Sequence, residues 1–198
     1  MGRLVVSMFS TLDGVMQSPG GTREDLEDGF KLGGWQAPFS DGESGKLILD
    51  SILSMDALLI GRKTYDIWVN HWPQAQDAIG DHFNAIPKYV ASRTLTDPTW
   101  KGTTVIQDVP AEVAEMKNRH GETRLWGSGD LLTSLLDHDL VDQIDLFIYP
   151  VALGSGKRVF RDGTLPARFE IVGEPRGFAG GSVLLSYRRS GVPEFEDM

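Results

Sequence analysis

The 198-residue sequence predicts an α/β protein with a largely parallel sheet covered on both faces. Three observations carry that expectation. Short apolar, β-branched runs alternate with helical patterns along most of the chain. Several of those runs end in a polar corner of glycine, hydroxyl or basic residues from which a helix starts. Toward the C-terminus the alternation becomes strict, as in an antiparallel pair.

Leu4–Phe9 is suited to a central strand, and Ser10-Thr11-Leu12-Asp13-Gly14-Val15-Met16 follows with a turn at Asp13-Gly14. The segment from Gln17 to Ser40 is long, irregular and glycine-rich, yet it keeps Phe30, Trp35 and Phe39. Loops of that length in compact domains are functional or disordered, and the aromatic residues favour a loop that covers a pocket. Ser40 as cap with Glu43 three residues on predicts a helix carrying Leu47, Ile48, Ser51, Ile52 and Met55 on one face. Asp56–Ile60 reads as a second buried strand and delivers Gly61-Arg62-Lys63-Thr64-Tyr65 into another helix. Gln74–Ala85 is a weakly amphipathic helix. Pro87–Ala91 is a third strand that closes on Ser92-Arg93. Thr103–Ile106 and Pro110–Asn118 give a further strand and a surface helix.

Arg124–Trp126 is a short buried strand that runs through Gly127-Ser128-Gly129-Asp130 straight into the helix beginning Leu131-Leu132. Gln143–Val151 is a long strand, followed by Leu153-Gly154-Ser155-Gly156-Lys157. That turn is not a P-loop: Walker A requires glycine where Val151 stands and a hydroxyl where Arg158 stands. Phe169–Gly173 and Ser182–Arg188 form the antiparallel pair. One domain is expected over residues 1–190, with an acidic, frayed tail at 191–198.

Composition narrows the function classes. The net charge of -9 argues against a nucleic-acid surface, which wants a basic face. With no cysteine there is no thiolate catalysis, disulfide or cysteine-ligated metal. His71, His82, His120 and His138 are scattered, without the spacing of a zinc pair, so no metal is expected. The N-terminus reads as a strand and not as a signal peptide, and no apolar run approaches membrane length. A cytoplasmic enzyme or binding protein that does not engage membranes is the expectation.

The polar corners carry the chemistry. Glycines at 127 and 129 permit a sharp turn and leave no Cβ to fend off a ligand. The helix that follows presents unpartnered N–H groups and the positive end of its dipole, a seat for phosphate. Leu132 stands where the dinucleotide fingerprint needs its third glycine, so this is no standard Rossmann site. Arg62 and Lys63 in the first turn of a helix oppose its dipole, which an anion between them would relieve. Arg93 offers a planar fork suited to phosphate. In open α/β sheets ligands bind at the carboxyl ends of the strands, where all three corners lie. One extended dinucleotide, its pyrophosphate on the glycine corners and an extra phosphate on arginine, could meet them all.

These stretches resemble the dihydrofolate-reductase-like superfamily, nearest the reductase domain of the bifunctional riboflavin-biosynthesis deaminase/reductase and its stand-alone relatives. The resemblance spans nearly the whole chain. It rests on Ser10–Gly14, on Asp56 to Tyr65 with the specific Gly-Arg-Lys-Thr-Tyr motif, on Lys88–Arg93, on Gly127–Leu131, and on His138–Asp142 leading into Pro150–Gly156. It implies a three-layer α/β/α sandwich with a mixed sheet, NADPH as cofactor, a small-molecule substrate and a homodimer. Gly61, Arg62, Lys63 and Thr64 would contact the cofactor phosphates, and Ser92 and Arg93 the adenosine 2′-phosphate side. Gly127, Ser128, Gly129, Asp130 and Leu131 would carry the pyrophosphate and border the nicotinamide. The implied activity is hydride transfer from NADPH to a small pterin- or pyrimidine-like ring. A non-catalytic NADP(H)-binding module or sensor is the alternative, and authentic dihydrofolate reductase a more distant one. Met16, Trp35 and Phe39 are the expected pocket walls, with Asp13 and Glu43 as polar anchors. No catalytic residue is assigned, because the residues single out no proton donor.

Overall fold

The computed structural model describes residues 2–197, and β1 (Arg3–Thr11) runs through the interior of its sheet. β1 is buried without a break from Leu4 through Met8. A strand covered on both faces needs such a continuous run. Leu4, Val6 and Met8 point to one face, Ser7 and Phe9 to the other.

The remaining strands are β2 (Ala57–Gly61), β3 (Lys88–Ala91), β4 (Thr103–Ile106), β5 (Glu122–Trp126), β6 (Gln143–Tyr149), β7 (Arg168–Ile171), β8 (Arg176–Gly177) and β9 (Val183–Gly191). They form one sheet in the order β4-β3-β2-β5-β1-β6-β9-β7, with β8 against β9. Every pairing from β4 to β6 is parallel, and β9 pairs antiparallel with β6, β7 and β8. The mostly parallel mixed sheet with an antiparallel C-terminal part is therefore as the sequence predicts.

Helices α4 (Val109–Arg119) and α5 (Gly129–Asp137) cover the face bearing Leu4, Val6, Met8 and Leu59. Helices α1 (Gly42–Leu53), α2 (Arg62–Trp68) and α3 (Ala78–Ala85) belong to the other face, where Ile52, Tyr65 and Phe83 pack with Leu58, Ile60 and Val90. The result is a three-layer α/β/α sandwich.

Among the boundaries that differ from the sequence expectation, four have a cause in the structure. Ser40 is not the cap of α1. Asp41 is, its Oδ1 accepting from the N–H groups of Glu43 and Ser44 at 2.9 Å each. Its other oxygen accepts from Gly180 N at 3.1 Å, so a distant turn helps select the cap. α3 starts at Ala78 under an Asp77 cap, and Gln74 ends a separate 3-10 turn. β5 starts two residues earlier than its apolar run because Glu122 and Arg124 are buried as partners. β9 runs on to Gly191, with Arg188 and Arg189 paired to β7.

Candidate functional site

The carboxyl ends of adjacent parallel strands β2 and β5 carry the two glycine corners, and one side chain joins them. Ser128 sits in left-handed backbone (φ 69°) just before α5, directly after Gly127 at φ 71°. Its hydroxyl does not cap α5. It accepts from Gly61 N at 2.8 Å and lies 2.8 Å from Thr64 Oγ1. A Cβ at residue 61 would collide with the Ser128 side chain, and one at residue 127 would stand 3.3 Å from Thr64 Oγ1. Glycine is required at both places for this approach.

Behind that seam opens a cleft of about 840 Å³. Gly61, Arg62, Lys63 and Thr64 line it from one corner, and Gly127, Ser128, Gly129, Asp130 and Leu131 from the other. The helix geometry of α5 leaves the N–H groups of Gly129, Asp130 and Leu131 without intrahelical acceptors. Leu132 N is the first to find one, Ser128 O at 3.0 Å. Three backbone donors beside two side-chain-free residues are a cradle that an anion such as pyrophosphate fits.

Among the described residues, four of the five cations that line the cleft are held by the protein's own carboxylates, and the fifth, Arg158, donates to the backbone oxygen of Asp13. Arg62 Nε donates to Asp66 Oδ1 at 2.9 Å and its Nη1 to Thr94 Oγ1 at 3.1 Å. Lys63 pairs with Glu27. Lys157, just past the carboxyl end of β6, pairs with Asp25 and Glu27 at 2.5 Å each. Arg161 pairs with Asp130 at 2.7 Å. These bonds pull the Glu27 carboxyl down to about 2, through Lys157 first and Lys63 second. The Asp25 carboxyl also lies low: burial pushes it up, but the bonds from Lys157 and Glu27 N and the charges of Lys157 and Lys63 together outweigh that.

The segment between Gln17 and Ser40 does line the cleft, but through Gln17, Ser18, Glu24, Asp25, Glu27 and Gln36 and not through its aromatic residues. Trp35 is buried, donates Nε1–H to Gln17 O at 2.8 Å and meets Tyr149 edge-on at 5.6 Å. Phe39 stands 6.4 Å from the same tyrosine ring. Both stay in the core beneath the loop. Met16 lines the cleft. Asp13 lies outside it: its carboxylate accepts from Thr11 Oγ1 at 2.6 Å, Gly154 N at 2.7 Å and Leu153 N at 3.2 Å. Glu43 is exposed on α1 and pairs with Arg176 at 2.9 Å. Ser92 is also outside the lining, its hydroxyl accepting from Thr94 N and Leu95 N, with Arg93 exposed beside it.

The inner wall is aromatic and went unnoticed in the sequence. Phe9, Trp68, Trp72 and Trp126 line it, together with Ser7 and Gln36. Gln36 Nε2 donates to Tyr149 OH at 2.8 Å. The sequence marks Lys157 only as part of the turn rejected as a P-loop, and not as a site residue. The sheet-edge rule that flagged the other corners applies to the turn after β6 as well, and it is the signal that points there.

A six-stranded parallel run with a crossover cleft at its carboxyl edge, followed by an antiparallel C-terminal part, defines a dihydrofolate-reductase-like fold. Residues 3–174 match the RibD C-terminal domain model, and the chain belongs to that family. The chain is 27% identical over 199 residues to the uncharacterized protein YyaP of Bacillus subtilis, covering 96% of each. Among solved structures it superposes on a putative riboflavin biosynthesis protein from Shewanella sp. PV-4 with a TM-score of 0.70 and 18% identity, covering 95% of this chain and 99% of that one. A dihydrofolate reductase from Enterococcus faecalis, complexed with NADP(H) and RAB-propyl, superposes with a TM-score of 0.62 and 16% identity, covering 95% and 96%. No helix among the described residues is long and apolar enough to cross a membrane.

Proposed function

We propose that this protein is an NADPH-dependent reductase that passes hydride from the nicotinamide to a small pterin- or pyrimidine-like ring. The observation that carries the reading is the Ser128 seam, which turns two glycine corners into one wall of a single cleft. In this reading Gly61, Arg62, Lys63 and Thr64 hold phosphate oxygens, and Gly127 through Leu131 seat the pyrophosphate. Ser92 and Arg93 face the 2′-phosphate side from the end of β3. The cofactor supplies the hydride; the chain supplies orientation and a dry pocket. Membership of the RibD C-terminal domain family and the likeness to a dihydrofolate reductase complexed with NADP(H) support the assignment. In this reading the protein acts in the cytoplasm as a homodimer.

A second reading has a specific observation behind it. Each carboxylate lining the cleft is engaged by donors of the protein itself, so none stands free as a proton donor. That favours a non-catalytic NADP(H)-binding module or sensor. Authentic dihydrofolate reductase, in which an acid of the helix preceding the Gly-Arg strand orients and protonates the pterin, is disfavoured, because the acids on α1 and at its cap, Asp41, Glu43 and Asp50, all lie outside the cleft lining. Steady-state NADPH oxidation, screened over pterins, pyrimidines and small carbonyl compounds, decides between them. Specific turnover supports the reductase, and NADPH binding without turnover supports the sensor.

A further inference from the structure

Trp126 and Ser7 are register partners on adjacent strands β5 and β1, so their side chains rise side by side from one face of the sheet. Both line the inner, aromatic end of the cleft, and both are almost fully buried, with 4% and 1% of their surface exposed. The indole Nε1–H of Trp126 is buried and has no acceptor in the protein. Buried donors are nearly always paired, so an orphan on a cleft wall calls for an acceptor from outside the chain.

Ser7 is prepared for the same task from below. Its Oγ accepts a hydrogen bond from Arg124 Nη1 at 2.9 Å, which leaves its own O–H to donate elsewhere. Asp145, the register partner of Ser7 on β6, does not take that proton. Its oxygens are held by Arg124 Nη1 at 2.9 Å, Gln143 Nε2 at 2.6 Å and Ser186 Oγ at 2.7 Å. Arg124 is fixed in turn by Glu122 Oε1 at 2.6 Å. A buried ion network thus sets Ser7 as a donor toward the cleft.

No carboxylate among the described residues supplies the opposite polarity. Asp25 and Glu27 are committed to lysines, Asp66 to Arg62 and Asp130 to Arg161. Glu24 accepts from the N–H groups of Gly20 and Gly21. Among the described residues, no carboxylate on the cleft wall is left to read the amino groups of a ring.

We infer that Ser7 and Trp126 form a substrate-reading donor pair, which selects a planar ring presenting carbonyl oxygen to them and rejects its amino-substituted counterpart. The inference deepens the reductase reading of the same cleft and rests on it for the role of substrate. Phe9, Trp68 and Trp72 supply the flat apolar walls between which such a ring stacks. A site built to hydrogen-bond one edge discriminates strongly, because the wrong edge leaves its buried groups unpaired.

Two rings of one shape test it. Lumazine carries two carbonyl groups where 2,4-diaminopteridine carries two amino groups. Protein labelled with 15N in its five tryptophan side chains is titrated with each, without cofactor. The Trp126 indole signal is assigned by its loss in Trp126→Phe, and the other four signals report that this variant folds. The expected result is a shift of the Trp126 signal with lumazine, and lumazine binding about tenfold or more tighter than the diamino ring. Trp126→Phe and Ser7→Ala then each lose about tenfold in lumazine affinity and none for the diamino ring. Equal or tighter binding of the diamino ring, lumazine binding with an unmoved Trp126 signal, or binding of neither ring overturns the inference. NADPH is titrated separately. Cofactor binding with the wrong ring preference sinks only the donor pair, whereas the right preference without cofactor binding sinks only the reductase.

Discussion

Replacing Ser128 with alanine removes the single hydroxyl that ties the β2 corner to the β5 corner. Gly61 is buried, and its N–H has Ser128 Oγ as acceptor at 2.8 Å. An unpaired buried N–H costs about 1–3 kcal/mol, and the lost bond to Thr64 Oγ1 adds about 1 kcal/mol. Ser128→Ala is therefore expected to destabilise by roughly 2–4 kcal/mol, which in a chain of this size lowers Tm by about 4–16 °C. Ser128→Gly loses the same bonds but relieves the left-handed backbone at φ 69°, recovering about 1 kcal/mol. Thr64→Val keeps the Gly61 bond and is expected to cost about 1 kcal/mol. Urea denaturation followed by tryptophan fluorescence measures all three. The order Thr64→Val mildest, Ser128→Gly intermediate and Ser128→Ala worst is the prediction. A loss below about 0.5 kcal/mol in Ser128→Ala refutes the reasoning, since that is the range of an ordinary surface change.

Two further predictions concern pH. Lys88 is wholly buried, donates to Phe83 O and Ile86 O at 2.7 Å each, and burial pushes its ammonium down to about 8 from an ordinary 10.5. Between those values the unfolded chain holds a proton that the folded one has released, so stability rises with pH across that window. A Lys88→Met variant is expected to lack that rise when urea midpoints are compared from pH 7.5 to 10.5; identical slopes in both proteins contradict the assignment. The Asp13 carboxyl sits at about 2, held there by Thr11 Oγ1 first and Gly154 N second, against an ordinary 3.8. Its contribution is complete above the ordinary value and disappears as pH falls toward 2. Asp13→Asn should therefore lose less stability than the wild type on acidification from pH 5 to 2, and an equal loss rejects the clamp role.

Much of the fold was legible because buried parallel strands announce themselves. Leu4–Met8, Ala57–Ile60 and Tyr89–Ala91 are apolar runs with helices between them, and their polar ends follow at once. What stayed hidden depends on contacts far apart in sequence. Arg124, Glu122 and Asp145 look like interruptions of apolar strands until three strands bring them together. The cap at Asp41 is favoured over Ser40 by Gly180, which lies 139 residues away. Both glycine corners could be read from the sequence, but the seam between them needed β2 and β5 to be neighbours. The aromatic residues of the loop misled for a simple reason. Trp35 and Phe39 had a choice between a ligand and the core, and Tyr149 on β6 offered them the core. The aromatic wall of the cleft comes instead from Phe9, Trp68, Trp72 and Trp126, all of which look like ordinary core positions in the sequence.

The central claim is that the two joined corners seat NADPH, and a fluorescence titration tests it most directly. Trp68, Trp72 and Trp126 line the cleft, so cofactor binding should quench tryptophan emission and transfer energy to the reduced nicotinamide. The expected result is saturable NADPH binding, weaker NADH binding, and a preference for NADPH that shrinks in Arg93→Ala. Absence of saturable binding by either cofactor contradicts the account.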